Sequence, residues 1–264
     1  MAPKIVSLVT GGSSGIGKAA ALALSKAGCT VFEVSRSGSD FDNIRHVNGD
    51  VTDPEAMKRA VKAVIDAEGR LDILVCCAGF GISGAAEFTE YSAAVRQLDV
   101  NYMGVVNAVT AALPFMRAQG SGRIVAVSSV AGEIAIPFQA HYSASKAAII
   151  AYVNALRGEV RPFGITLTSV LPGDTRTGFT SAREKSAAGD GVYSGRITRS
   201  VSRMERDEQN GVSPEKVGTV IAKAALKRRV PPEIGVGADY KLFLLLNRIL
   251  PRSLVSRLIY KIYG

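Results

Sequence analysis

Seven short, mostly apolar runs recur along the chain: Ile5–Val9, Thr30–Ser35, Ile44–Asn48, Leu71–Cys76, Arg123–Ser128, Thr166–Leu171 and Glu233–Val236. Amphipathic stretches at about 15–28, 54–68, 92–118, 142–161 and 214–228 separate most of them. Strands that read as continuous apolar runs are buried on both faces, and helical connections between them demand parallel pairing. With right-handed crossovers the outcome is an α/β chain: a doubly wound parallel sheet of about seven strands with helices on both faces. Such a sheet binds its ligands at the carboxyl ends of the strands. The 264 residues suit a single domain, 1–264, without an obvious internal boundary.

The first run leads directly into Thr10-Gly11-Gly12-Ser13-Ser14-Gly15-Ile16-Gly17. Glycines spaced Gly-x-x-x-Gly-x-Gly between a strand and a helix let backbone approach a pyrophosphate closely, with helix N–H groups aimed at the anion. The doubly wound sheet is of Rossmann type, but the spacing is not Gly-x-Gly-x-x-Gly, so a generic Rossmann label for this turn is inexact. At the end of the second run, where an NAD-selective protein places an acid for the ribose hydroxyl, stands Ser35-Arg36-Ser37. An arginine there can receive a 2′-phosphate through charge-assisted bonds, so the expected cofactor is NADP(H).

A second motif supplies chemistry. Tyr142 and Lys146 in Tyr142-Ser143-Ala144-Ser145-Lys146 lie four residues apart, hence on one face of a helix. A phenol is a poor proton donor and acceptor at neutral pH unless a cation favours its anion, and Lys146 is placed to do so. His141 points along a different helix direction and reads as structural or pocket-lining.

The net charge of +9 calls for anionic partners, but no nucleic-acid-binding module or Trp accompanies it, so nucleic acid is not expected. The three cysteines, Cys29, Cys76 and Cys77, lack metal-ligand spacing, and no metal is expected. Together with an N-terminus that enters the first strand without a leader-like segment, they are read as signs of a reducing, cytoplasmic setting. Residues 179–212 are polar and fit either a substrate lid or a solvated loop with a short helix. The tail from Tyr240 to Gly264 carries Lys241, Arg248, Arg252, Arg257 and Lys261 among many Leu, Ile and Tyr residues and no acid. Such a segment can touch a membrane surface peripherally, cover a pocket, or pack on its own core or a sister subunit.

Taken in order, these motifs make the chain resemble the short-chain dehydrogenase/reductase family over nearly its whole length. The family's glycine motif matches Thr10–Gly17, its segment near the adenine matches Asp50-Val51, and its Asn-Ala-Gly matches Cys77-Ala78-Gly79, with Cys77 in place of Asn. Asn101 matches a structural and proton-relay Asn. Ser129 rather than Ser128 matches the catalytic serine, and Tyr142 and Lys146 match the Tyr-x-x-x-Lys pair. Pro172-Gly173 with Thr177 matches a nicotinamide-contacting segment; Thr175 stands where the family often has Ile or Val, and a backbone contact would survive there.

The resemblance implies an oxidoreductase in which Tyr142 exchanges the proton and Ser129 holds the substrate oxygen. Lys146 would bind the nicotinamide ribose, and Asn101 would hold a relay water. The expected substrate is a lipophilic ketone or aldehyde and its alcohol, of steroid, retinoid or long-chain type. A 3-oxoacyl carrier-protein reductase, a non-catalytic NADP(H) sensor and a membrane-surface scaffold are the other readings. A homodimer or homotetramer through the helices around 92–118 and 142–161 is expected by the same resemblance.

Overall fold

The computed structural model describes residues 4–264, so the Met1–Pro3 part of the predicted lead-in lies outside the described residues. In chain order the elements are β1 Val6–Thr10, α1 Gly15–Lys26, β2 Thr30–Ser35, β3 Ile44–Asn48, α2 Pro54–Glu68, β4 Ile73–Cys76 and β5 Ile82–Ser83. Then come α3 Tyr91–Leu98, α4 Gly104–Gln119, β6 Gly122–Val127, α5 Ala140–Val160, β7 Ile165–Pro172, α6 Phe179–Ala182 and β8 Glu184–Lys185. The chain closes with α7 Arg196–Gln209, α8 Pro214–Leu226, β9 Glu233–Val236, α9 Ala238–Ile249 and α10 Arg252–Tyr263.

Seven parallel strands pair in the order β3-β2-β1-β4-β6-β7-β9. Each predicted apolar run is one of them, with ends moved by a residue or two. Alternate side chains enter opposite cores. Leu8, Leu74, Ile124 and Leu167 pack with Met57, Val109 and Val153 from α2, α4 and α5. Val9, Val75, Val125 and Val170 pack with Leu24 and Ile221 from α1 and α8. Burial on both faces explains why these strands show no polar alternation. The sheet winds outward in both directions from the β1/β4 pair, and that reversal opens a crevice at the carboxyl edge.

Local signals fix the helix ends. Asp53 caps α2 by accepting from the Glu55 N–H at 2.8 Å, and Gly69 ends it at φ 71°. Ser213 caps α8 ahead of Pro214.

The stretch 92–118, which reads as one helix, is divided. A π-type turn, Asp99–Met103, separates α3 from α4. Its wide winding rotates Asn101 inward to complete burial, and Gly104 beyond it faces Val51 so closely that a Cβ would lie 2.7 Å from a Val51 methyl. β5 and β8 form a separate two-stranded parallel ribbon that the sequence does not announce. Residues 179–212 contain α6, β8 and α7, and the tail forms the helix pair α9 and α10.

Candidate active site

The glycine turn is shaped by close backbone contact. Gly11 (φ 65°) and Gly15 (φ 52°) adopt the left-handed conformation that glycine tolerates. A Cβ on Gly17 would fall 2.1 Å from the Gly11 carbonyl oxygen, and one on Gly11 would fall 2.9 Å from Ala78 Cα. The turn therefore lies flat over the β4 end and delivers the first amides of α1 to the crevice. Ser14 makes no side-chain cap and no acid occupies the first turn of α1, leaving the positive helix end open to an anion.

The other predicted residues arrive at the same edge. A cavity of about 1230 Å³ is lined by Gly11, Ser13, Ser14, Gly15, Ile16 and Gly17 at one end and by Ser129, Tyr142 and Lys146 at the other. Ser35, Arg36, Ser37, Asp50 and Val51 border it beyond β2 and β3, and Cys77, Ala78 and Gly79 form its floor after β4. Pro172, Gly173, Thr175 and Thr177 line it after β7, with Thr177 returning to within 3.7 Å of where a Gly15 Cβ would stand.

Two predicted residues stand behind the wall. The Thr10 hydroxyl accepts from the N–H groups of Cys77 and Ala78 at 3.2 and 3.3 Å, which shapes the floor. Asn101 gives its amide protons to the Phe80 carbonyl and Ser145 Oγ, both at 3.0 Å, and accepts from the Phe80 N–H at 2.9 Å. His141 is not on the cavity wall.

At the β2 end, Asn48 donates to the Arg36 carbonyl at 2.8 Å, leaving the exposed guanidinium of Arg36 without an ion pair among the described residues. An acid does occur on β2, two residues earlier. Glu33 is fully buried beneath Gly12 and bonded to His46 and Ser35, away from the cavity wall. No carboxylate therefore occupies the strand-end position where an acceptor for a ribose hydroxyl belongs.

The Tyr142 end is lined largely by apolar and ring surfaces. Burial pushes the phenol up to about 12; Ser129 and Arg183 offset this in part, while Glu208 and Asp174 add to it. Burial lowers Lys146 to about 8, and its ammonium donates to the Val127 carbonyl at 3.1 Å. In this arrangement desolvation dominates the phenol, and the Lys146 ammonium is turned to the β6 end. Both Ser128 and Ser129 line the cavity, but the Ser128 hydroxyl is committed to the Lys146 carbonyl at 2.7 Å and so holds α5. Cys77, in place of the family's Asn, is a partly buried thiol that desolvation pushes up to about 12.

Several further lining residues belong to no motif, although they fall in the two segments, 179–212 and the tail, for which a lid and a pocket cover are among the readings of the sequence. Phe179 of α6 sets its ring 5.7 Å from that of Tyr142. Tyr240 of α9 lies on Gly173, where a Cβ would come within 2.2 Å of its ring, and donates to Asp174. Val255, Leu258 and Ile259 of α10 complete an apolar wall with Phe243 and Leu246. These contacts join segments far apart in sequence, which periodicity does not report.

The residues present fit a dinucleotide: a cradle that excludes Cβ atoms, an open helix N-terminus and an arginine beyond β2.

Residues 5–188 match the short chain dehydrogenase family. The chain is 40% identical to a 3-ketodihydrosphingosine reductase of Bacteroides thetaiotaomicron over 240 residues, covering 90% of this chain and 89% of that protein. It is 30% identical to a probable short-chain type dehydrogenase/reductase of Helicobacter pylori, over 94% of each chain. The crystal structure of a short-chain dehydrogenase from Streptomyces avermitilis superposes with a TM-score of 0.83 at 31% identity, over 96% of this chain and 95% of that one.

Proposed function

The chain belongs to the short-chain dehydrogenase family of nicotinamide-dependent oxidoreductases, and from that premise we propose that it is an NADP(H)-dependent reductase of long-chain, lipophilic ketones. The observation that carries this reading is the continuity of one cavity. It runs from the glycine turn and Arg36, past Tyr142 and Ser129, to an apolar wall built by α9 and α10. A sensor would need neither the Tyr142–Lys146 face nor a lipophilic chamber beyond it. The name of the Bacteroides relative, a reductase of a long-chain ketone, supports the long-chain member of the substrate classes over steroid or retinoid.

In this reading the glycine turn and α1 hold the pyrophosphate, Arg36 the 2′-phosphate, and Pro172–Thr177 with Cys77–Gly79 the nicotinamide half. Bound NADPH supplies the hydride for the carbonyl carbon. Ser129 donates a hydrogen bond to the carbonyl oxygen and stabilises charge as it develops there. Tyr142, protonated through the neutral range, gives its proton to that oxygen. Lys146 keeps a positive charge behind the phenol and becomes effective once its ammonium leaves Val127 for the cavity. Asn101 fixes Phe80 and Ser145 so that Gly79 and Lys146 keep their places.

We further propose that the half-exposed apolar residues Val95 and Leu98 of α3 and Met103 beside α4 serve a homodimer or homotetramer contact. The test of the cofactor assignment is an equilibrium titration with NADPH and NADH. NADPH should bind at least about tenfold more tightly, and Arg36→Asp should erase that preference, because a charge-assisted bond contributes about 1.5–3 kcal/mol. Equal affinities in the unsubstituted protein would overturn it.

A further inference from the structure

The tail helices present two different faces. Inward, Tyr240, Phe243, Leu246, Val255 and Ile259 line the cavity. Outward, Leu242, Leu245, Leu246 and Ile249 follow i, i+3, i+4, i+7 on α9, and Leu254, Leu258 and Ile262 follow i, i+4, i+8 on α10. All seven are exposed, from 37% at Leu246 to 70% at Ile249. By the same helical spacing Lys241 and Arg248 flank the first stripe, and Arg257 and Lys261 flank the second. Residues 240–264 contain no acid, and Lys241, Arg252, Arg257 and Lys261 enter no ion pair among the described residues. Phe243, Leu246, Leu258 and Ile262 are at once exposed and cavity-lining, so they mark the cavity mouth.

We propose that α9 and α10 lie flat on an anionic bilayer surface, with the Leu242–Ile249 stripe and Leu254 immersed and the flanking cations at the headgroups. A long-chain ketone would then pass between the helices into the cavity without crossing water, a step that rests on the ketone-reductase reading. Three observations favour a lipid surface over a second copy of the chain. A self-complementary contact through this face would oppose the unpaired Lys241, Arg252, Arg257 and Lys261 to one another, with Asp239 at the start of α9 the one acid on the two helices. Each helix has 12 residues, against the roughly 20 needed to span a bilayer, so the pair suits the interface and not a crossing. Neither helix contains a fully buried residue, and the face that holds them is separate from the Leu242–Ile249 stripe: Tyr240, Leu244, Val255 and Ile259 pack on Val130, Ile134, Ile150 and Leu171, with Tyr240 bonded to Asp174, Tyr263 to Asp207 (3.0 Å), Asn247 to the Glu133 carbonyl (3.3 Å) and Arg248 to Glu233 (2.7 Å).

The test is flotation of the full chain with phosphatidylcholine vesicles, with and without phosphatidylglycerol, beside the double variant Leu245→Asp/Ile249→Asp, whose sites lie off the cavity wall. Each cation near an anionic surface raises binding about fivefold, so phosphatidylglycerol should strengthen flotation by at least about tenfold. The double variant should stay in the unbound fraction, reduce a water-soluble short ketone at the unsubstituted rate, and show a raised KM for a vesicle-borne long-chain ketone. Absence of flotation, or equal flotation with both vesicles, would overturn the docking. Conversion of a dimer to a monomer by the double variant, read by light scattering, would reassign the face to a subunit contact. Flotation as expected with no ketone reduced in either form would leave the docking standing and remove the reductase reading instead.

Discussion

The ammonium of Lys146 donates to the carbonyl of Val127 at 3.1 Å, while the ring centre of Tyr142, one helical turn away, lies 5.7 Å from it. The cation therefore sits beside the phenol without bonding to it. Desolvation moves the two groups in opposite directions: the buried lysine is lowered to about 8 and the partly buried tyrosine is raised to about 12.

The first prediction concerns pH. Tyr142 keeps its proton throughout the neutral range, so ketone reduction should stay level there and fall as pH rises past about 8, where Lys146 loses its charge. In Lys146→Arg, whose charge persists, the residual rate should lose that alkaline limb. An unchanged limb in the arginine variant would place the titration elsewhere.

Stability should move in the opposite sense to activity. Lys146 has a folded-state pKa below its ordinary 10.5, so the unfolded chain binds the extra proton between about 8 and 10.5 and stability rises with pH through that window. Below it the buried charge is a standing cost of about 3 kcal/mol. Lys146→Met should therefore raise the unfolding free energy at neutral pH by about 1–3 kcal/mol, lose that advantage above pH 10.5, and reduce no ketone. Denaturant titrations at two pH values check this.

Gly17→Ala should disable the cradle. Its Cβ has no room beside the Gly11 carbonyl oxygen, at 2.1 Å, so the turn must open. We expect a destabilisation of at least about 2 kcal/mol and loss of measurable dinucleotide binding. Gly28→Ala, where nothing lies within 4 Å but φ is 87°, should cost about 1 kcal/mol and leave binding unchanged.

Tyr240 and Asp174 form a second separable pair. Burial raises Asp174 to about 6, so its carboxylate weakens the fold as pH climbs from 3.8 through about 6. Asp174→Asn keeps an acceptor for the Tyr240 hydroxyl and should be neutral or slightly stabilising at neutral pH. Tyr240→Phe leaves the buried carboxylate without that donor and should destabilise by about 1–3 kcal/mol. Thermal melts of both variants decide it.

How far the sequence carries this account differs by element. The seven strands were legible because burial on both faces removes polar alternation, as at Ile73–Cys76, where neighbouring residues enter opposite cores. The cradle was legible because close backbone contact demands glycine at Gly11 and Gly17 and a left-handed φ favours it at Gly15, and the cavity ends were legible because Tyr142 and Lys146 share a helix face. The division at Asp99–Met103 was not, since a wide turn keeps helical periodicity on both sides. Phe179 on Tyr142 and Tyr240 on Gly173 were not either, because each contact depends on how far the chain travels before it returns. The desolvation of Tyr142 was not legible, because spacing reports proximity to Lys146 and says nothing of what buries the phenol.

The most direct test of the central claim is turnover of 3-ketodihydrosphingosine with NADPH by the unsubstituted protein and by Tyr142→Phe, followed by cofactor oxidation and by the alcohol formed. The account predicts stoichiometric NADPH consumption and alcohol formation that fall at least about a hundredfold in the phenylalanine variant, with NADPH binding retained. Equal turnover by the two proteins would contradict the assignment of Tyr142 as proton donor. No turnover by either, in the presence of bound NADPH, would contradict the long-chain ketone.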